Sequence, residues 1–346
     1  MNTLALEDFY FENMAHRMAT LFETEVDSNC SAHEFQLPKK YGNGKIISFD
    51  FDGGLGLFIL KVKLTSSVAL EFEAGNKYPM YLMHNNEGVV VHKFCKGNIN
   101  YQLDTMHCSI SACPSDSTQS IILPANQAVN FAMVSINRAV FTEITGCGED
   151  ELPESFIDAL EDADSENSFF YHGNSDFTTA QLIQELCKMD FEKIENVAFA
   201  EGKTFEILGQ FIRTYKENHT PGSVKVALNK YDIDCMMRAK EIIASNMEEP
   251  PTIPELAKMV GINQQKLKQG FKQVFRTTIN QYLIKERMEA ARVLLTEGTM
   301  NVSEVATRVG YSNKSHFSTK FKQHFGILPK EFSKNVEINV PGASLN

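Results

Sequence analysis

The sequence predicts an α+β, multidomain chain: a strand-rich N-terminal barrel or sandwich with helices, then an all-α C-terminal part built on a duplicated helical unit. Three observations carry this. At 346 residues the chain is too long for one ordinary core. Short apolar or alternating runs fill roughly its first 140 residues, and apolar spacings of three and four residues follow. Near the C-terminus one pattern is then written twice, "GINQQKLKQGFKQVF" at Gly261–Phe275 and "GYSNKSHFSTKFKQHFG" at Gly310–Gly326.

Taken in order, a helix is expected within Glu7–Thr24, where Met14, Met18, Leu21 and Phe22 share a face. The runs "KIISFDF", "GLFILKVKL", "SVALEFEAG", "KYPMYLM", "GVVVHKF", "NINYQL", "QSIILP" and "AVNFAMVSI" follow, parted by Gly, Asn and Ser. They read as short strands of an antiparallel barrel or sandwich. "ESFIDALEDA" and "TAQLIQELCKM" read as helices, and Glu192–Tyr215 as a longer one. Its Ile194, Val197, Ala198, Phe205, Leu208, Ile212 and Tyr215 fall three, four or seven residues apart, and so on one face. Glu201-Gly202 interrupts that stripe and marks a place for a kink. The face packs either on the barrel or on a second copy of the chain. The punctuation "HTPGS" then signals a boundary. These features set a first domain at 1–220 (barrel about 40–140, helices about 150–216), a linker at 221–231, a second domain at 232–336 and a tail at 337–346.

The two copies in the second domain align in detail. Thr252-Ile-Pro-Glu255 matches Asn301-Val-Ser-Glu304, each a capping residue three before a Glu, the spacing that starts a helix. Val260-Gly261 matches Val309-Gly310, where glycine takes the left-handed conformation that ends a helix. The copies are offset by 49 residues up to that glycine and by 50 beyond it. The extra residue falls in a polar turn; inside a helix it would rotate the apolar face by about 100°. Each copy, 252–275 and 301–325, is thus a helix-turn-helix unit, with Leu267, Phe271 and Phe275, or Phe317, Phe321 and Phe325, facing inward.

The outward residues of the second helices are Gln264, Gln265, Lys268 and Gln269, then Lys314, Ser315, His316 and Thr319. These amides, hydroxyls and cations match the donors and acceptors of base edges in a major groove. A helix from Ile279 to Glu297, about 28 Å long, joins the copies, which suits successive major grooves about 34 Å apart. Lys266, Lys272, Arg287, Arg292, Lys320 and Lys322 are the expected phosphate contacts, with a salt bridge to Glu286 or Glu289 as the alternative for the two arginines.

Charge is distributed to match. The whole chain carries −11, yet 231–346 holds 16 Lys+Arg against 12 Asp+Glu, and 258–334 holds 14 against 5. The remaining 1–230 holds 17 against 32, so only the C-terminal part is expected to meet a polyanion, double-stranded DNA. No run reaches the roughly 20 apolar residues of a membrane span. The acidic start "MNTLALEDFYFEN" lacks the basic flank of a signal peptide, and a cytoplasmic protein without a membrane partner is expected. Seven scattered cysteines without a C-x-x-C pair read as free thiols in a reducing compartment.

Two other function classes compete with DNA-binding regulation. A metal-dependent enzyme on a barrel would want an H-x-H pair with a Glu and a later His, whereas His84, Glu87, His92 and His107 are scattered. There is no nucleotide loop and no Ser-His-Asp signature; no catalytic residue, metal or cofactor is expected. An architectural DNA binder without a ligand would make no use of some 220 acidic, aromatic-rich residues, which suit an apolar pocket for a small-molecule effector.

The run Ala306–Pro329, "A-x-x-V-G-Y-S…S-H-F…F-K-x-x-F-G-x-x-P", resembles the AraC/XylS family of bacterial transcription regulators, and the resemblance extends over about Asp232–Lys334. It implies a cupin-like N-terminal sensor, a promoter operator and RNA polymerase as partners, and transcription activation. It places base reading on Gln265, Lys268, Gln269, Lys314, Ser315, His316 and Thr319. Thr319 stands where many members have Arg, and Phe275-Arg276 where the first reader usually has Phe-Gly. The wording "LKQGFKQVFRTTINQYL" and "GYSNKSHF" is similar to the subgroup of the pyochelin-receptor regulator, which implies a ferric siderophore as effector. A homodimer through the 192–215 helix fits the same plan. Effector-binding residues are not implied.

Overall fold

The computed structural model describes the chain except residues 1, 7–10, 73–78, 95–99, 115–116, 139–151, 163–165, 220–227, 229 and 340–346. Contacts divide it into two compact units, 1–224 and 225–346. The expected linker at 221–231 lies mostly outside the described residues, as does most of the tail.

The first unit opens with β1 (Asn2–Leu6) and α1 (Phe11–Leu21). Short strands follow: β2 (Asp27–Asn29), β3 (Ala32–Gln36), β4 (Gly42–Phe51), β5 (Leu55–Leu64), β6 (Val68–Phe72), β7 (Met80–Glu87) and β8 (Val90–Lys93). Then come β9 (Asn100–Leu103), β10 (His107–Ala112), β11 (Gln119–Leu123) and β12 (Ala128–Ile136). The unit ends with α2 (Glu154–Glu161), β13 (Phe169–Asn174), α3 (Phe177–Leu186) and α4 (Ile194–His219).

The strands form two sheets, β1-β6-β11-β8-β9 and β13-β10-β7-β12-β5-β4-β3-β2. Pairing is antiparallel except for β1 beside β6. Neither order returns to its start, so of the two expected arrangements the strands make the sandwich of two open sheets and not a closed barrel. Strand pattern shows where a strand lies but not its partner, since the bonds that close or split a sheet join residues far apart in the chain.

The sheets face each other across a core that takes Phe58, Leu60 and Met133 from the larger, Leu70, Ile121 and Val90 from the smaller, and Met14 and Met18 from α1, with Phe22 just after it. The opposite face of the larger sheet is covered by α2, α3 and α4: Phe49, Leu57, Ile110 and Val134 pack with Phe156, Ile183, Leu186 and Phe211. Leu57, Phe58, Ile59 and Leu60 are therefore buried consecutively, odd positions under the helices and even ones between the sheets. Each is worth about 1.5–3 kcal/mol of hydrophobic burial.

Helix α4 runs unbroken through Gly202, with no break at the expected kink. The apolar face assigned to it from sequence is divided. Val197, Leu208 and Tyr215 are buried on the sheet, together with Ala200, Ile207 and Phe211. Ile194, Ala198 and Phe205 are exposed. The chosen residues straddle the edge of the packed stripe, because a spacing pattern gives a face but not which flank of it meets the sheet. The free-thiol reading also needs correction: Cys30, Cys187 and Cys235 are free thiols, but Cys113 is disulfide-bonded. Among the described residues no helix is long and apolar enough to cross a membrane.

The second unit is helical: α5 (Lys230–Ser245), α6 (Ile253–Val260), α7 (Gln264–Phe275), α8 (Ile279–Glu297), α9 (Val302–Arg308), α10 (Lys314–Phe325) and α11 (Pro329–Asn339). Helix α5 packs on α6, α7 and α8 through buried Ile233, Met236, Ala239 and Ile243. The C-terminal half of α8 joins α9 and α10 through Met288, Ala291, Leu295, Val305, Phe317 and Phe321.

Candidate nucleic-acid interface

Local chemistry builds each helical pair. At the start of α6 the Thr252 N–H donates to Glu255 Oε2 at 2.8 Å, and at the start of α9 the Asn301 N–H donates to Glu304 Oε2 at 2.8 Å. Asn301 Oδ1 in turn accepts from the Glu304 N–H at 3.1 Å. These bonds occupy amide groups that a helix start otherwise leaves to water. Gly261 (φ 83°) and Gly310 (φ 82°) take the left-handed conformation in the two turns, as their spacing predicts. The second helices are then capped by Asn263, accepting from the Lys266 N–H at 2.8 Å, and by Asn313, accepting from the His316 N–H at 3.0 Å. The first turn holds one residue fewer than the second, yet Leu267, Phe271, Phe317 and Phe321 are all fully buried. The insertion is absorbed outside the helices and both apolar faces stay in phase.

Opposite those faces lie the residues proposed from sequence. Gln264, Gln265, Lys268 and Lys272 are exposed on α7, and Gln269 is half-buried. On α10, Lys314, Ser315, His316, Thr319 and Lys322 are exposed and Lys320 is half-buried, its Nζ donating to Gln323 Oε1 at 3.2 Å. The Thr319 hydroxyl donates to the Ser315 carbonyl at 2.9 Å, so it offers lone pairs outward rather than a proton. Neither α7 nor α10 contains an Asp or Glu. Two exposed helix faces thus carry amides, hydroxyls, an imidazole and ammonium groups without an acid to repel a polyanion.

Three of the residues expected at phosphates have partners within the chain, Arg292 the one named as its alternative. The Lys266 ammonium pairs with Asp232 at 2.7 Å, and Asp232 is itself buried, so this charge ties α7 to α5. Arg292 pairs with Glu289 at 3.0 Å. Arg287 turns inward. Its Nε and Nη2 donate to the Met247 carbonyl at 2.9 and 2.7 Å, and Nη2 also reaches the Glu248 carbonyl at 3.3 Å. The guanidinium lies 5.2 Å over the Tyr311 ring and against Gly310, where a Cβ would come within 2.3 Å of Nη2. Arg287 therefore braces the loop after α5 against the turn of the second helical pair. Sequence reading missed this role and the caps Asn263 and Asn313. For the caps a signal was present, an Asn immediately before each second helix; for Arg287 there was none, because its acceptor is 40 residues away.

Other chains share this arrangement. Residues 256–335 match the family described as a helix-turn-helix domain. The HTH-type transcriptional regulator GbdR of Pseudomonas aeruginosa is 31% identical over 107 residues, 30% of this chain and 29% of that regulator. The HTH-type transcriptional activator RhaR of Escherichia coli is 23% identical over 154 residues, 44% of this chain and 54% of that one. This chain thus spans about half or less of the length of these relatives. Among solved structures, an AraC-type transcriptional regulator from Chromobacterium violaceum is 28% identical with a TM-score of 0.30, covering 33% of this chain and 100% of that one. ToxT from Vibrio cholerae is 12% identical with a TM-score of 0.28, covering 81% of this chain and 98% of that one. Residues 256–335 of the chain are a helix-turn-helix domain, and over part of its length the chain is similar to HTH-type transcriptional regulators.

Proposed function

We propose that the protein is a sequence-specific, ligand-responsive transcription activator whose second unit reads two adjacent major grooves of a promoter operator. The observation that carries this is the pair of acid-free, outward faces on α7 and α10, each mounted on its own capped scaffold. Gln264, Gln265, Lys268 and Gln269 read bases in one groove; Lys314, Ser315, His316 and Thr319 read the next. Lys272, Lys320 and Lys322 flank those faces and contact phosphates. Activation implies contact with RNA polymerase, and RhaR, similar to 44% of this chain, is a transcriptional activator.

The first unit, roughly residues 1–220, senses a small molecule, a ferric siderophore being the effector the sequence resemblance implies. Differential affinity of the effector for two states of the chain supplies the switch. Dimerisation through α4 is supported by its exposed outer stripe, Ile194, Ala198, Gly202, Phe205 and Gly209, which lies apart from the stripe packed on the sheet. Both glycines stand in open space, which lets a second helix approach closely.

The DNA assignment is tested with a duplex selected from random sequence by the full chain. Lys268→Ala and His316→Ala are each expected to relax preference at one base position by about 1–3 kcal/mol. An unchanged ranking of every operator variant in a mobility-shift series refutes the assignment.

A further inference from the structure

The space between the two sheets is apolar along much of its length, but not at the end where the edge strands β9 and β13 approach each other. Six side chains share its inner face there. His92 lies two residues from Val90 and Tyr101 two from Leu103, both members of the inter-sheet core, and His92 pairs in register with Tyr101. Gln119 lies two before Ile121. Ser109 and Ser111 alternate along β10 with Cys108 and Ile110, which face the helices, and Ser111 pairs in register with Phe170.

His92 is fully buried. Its Nε2 meets Gln119 Oε1 at 2.9 Å, and the same oxygen accepts from the Ser111 hydroxyl at 3.0 Å. A carbonyl oxygen only accepts, so Nε2 carries the ring proton and Nδ1 is left with a bare lone pair. Among the described residues no group bonds that Nδ1 or the Oγ of Ser109, which is also fully buried. Side-chain polar atoms so deeply buried almost always have partners. Burial holds the imidazole neutral, pushing its pKa down to about 4. The Phe170 ring lies 5.7 Å from it and the Phe94 ring 6.0 Å, and Tyr101 and Phe94 lie tilted against Phe170 at 4.0 and 4.7 Å. Phe170 and Tyr101 are only half-buried, so this end of the sandwich is open to solvent beside the buried imidazole.

We infer that this end of the sandwich binds a small planar molecule of phenol type, its ring against Phe170 and Tyr101 and its hydroxyl donating to Nδ1 of His92. A carboxylate fits poorly, since it would bring a desolvated acceptor against another acceptor. Ser109 offers the second polar atom, for a neighbouring substituent on the ring. The inference puts a free phenol in place of the ferric siderophore in the sensor reading above, and rests on that reading only for the consequence at DNA.

Phenol is the probe, titrated into the full chain with 15N-labelled histidines, beside anisole, which lacks the donor, and benzoate, which carries the charge. Phenol is expected to bind saturably and to shift the His92 Nδ1 resonance. Anisole and benzoate should bind about ten-fold more weakly or worse, the worth of one buried hydrogen bond. His92→Phe should erase the preference for phenol over anisole. Should that variant fail to fold, Phe170→Leu, at a half-buried ring, should weaken all the aromatic probes together. No saturable phenol binding, equal binding of anisole, or a shift confined to other histidines overturns the site. Saturable binding that leaves operator affinity unchanged upholds the site and refutes the sensor reading; failure of the chain to bind DNA with or without phenol refutes the regulator reading alone.

Discussion

Arg287→Ala separates a brace from a phosphate contact. The substitution removes two short charge-assisted hydrogen bonds to the Met247 carbonyl, at 2.9 and 2.7 Å, and a cation–π contact 5.2 Å above Tyr311. Such hydrogen bonds are worth about 1.5–3 kcal/mol each when fully shielded, and the ring contact about 0.5–1. Met247 is half-buried and Glu248 exposed, so water replaces part of the loss. A net cost of about 2–3 kcal/mol to the second unit is expected, read as a lower urea midpoint at unchanged slope.

The consequence at DNA is more telling. Arg287 ties the loop after α5 to Gly310 and Tyr311, and so holds α7 and α10 in one relative orientation. Mobility shifts with the full selected duplex and with each half-site should show a loss of about ten-fold or more on the full duplex. Each half-site should be bound within about two-fold of wild type. Arg287→Lys should not rescue, because one ammonium cannot reproduce a planar fork lying over a ring. The slope of affinity against salt should stay unchanged. Equal losses on full and half duplexes, with a slope reduced by about one and rescue by Lys, would show a phosphate contact and refute the bracing argument.

Three further outcomes follow from the geometry. Arg276 ends α7 in the left-handed conformation at φ 56°, where Gly326 ends α10; Arg276→Gly should stabilise the second unit by about 1 kcal/mol in urea denaturation, and a destabilised variant would show that the side chain contributes more than the strain costs. His84 and His92 are buried and neutral, each with its pKa pushed down to about 4 by burial. The unfolded chain therefore takes up their protons first as pH falls, and stability present above about pH 6.5 should drop by roughly 2 kcal/mol per histidine by pH 5; equal urea midpoints at pH 7 and pH 5 would contradict this. Phe205→Glu, on the outer stripe of α4, should convert a dimer to a monomer in sedimentation, and an unchanged mass would remove α4 from the interface.

The C-terminal helices were legible almost to the residue. Gln264–Phe275 and Lys314–Phe325 run as their spacing predicts, because what starts and stops them is local: an Asn cap, a Thr or Asn three before a Glu, a glycine at positive φ. Helix α11 was not anticipated, although Pro329 stands at its first position, where proline favours a helix start. In the first unit, eight strands were legible as short runs, but β1, β2, β3, β10 and β13 were not. In β10, "HCSISA" alternates serines with apolar residues, and a serine buried on the inner face looks from sequence like one in water.

Short-range order, then, was written in the chain: the capped helical pairs, the single inserted residue between them, and the concentration of cations where acids are absent. Each depends on residues within a turn or two of one another. The fold as a whole decided the rest, because it turns on contacts between residues far apart. Hydrogen bonding between distant strands chose two open sheets where strand pattern allowed a barrel or a sandwich. Packing against one sheet divided the apolar residues of α4 between inside and outside, and a carbonyl at Met247 drew Arg287 away from solvent to hold the second helical pair in place.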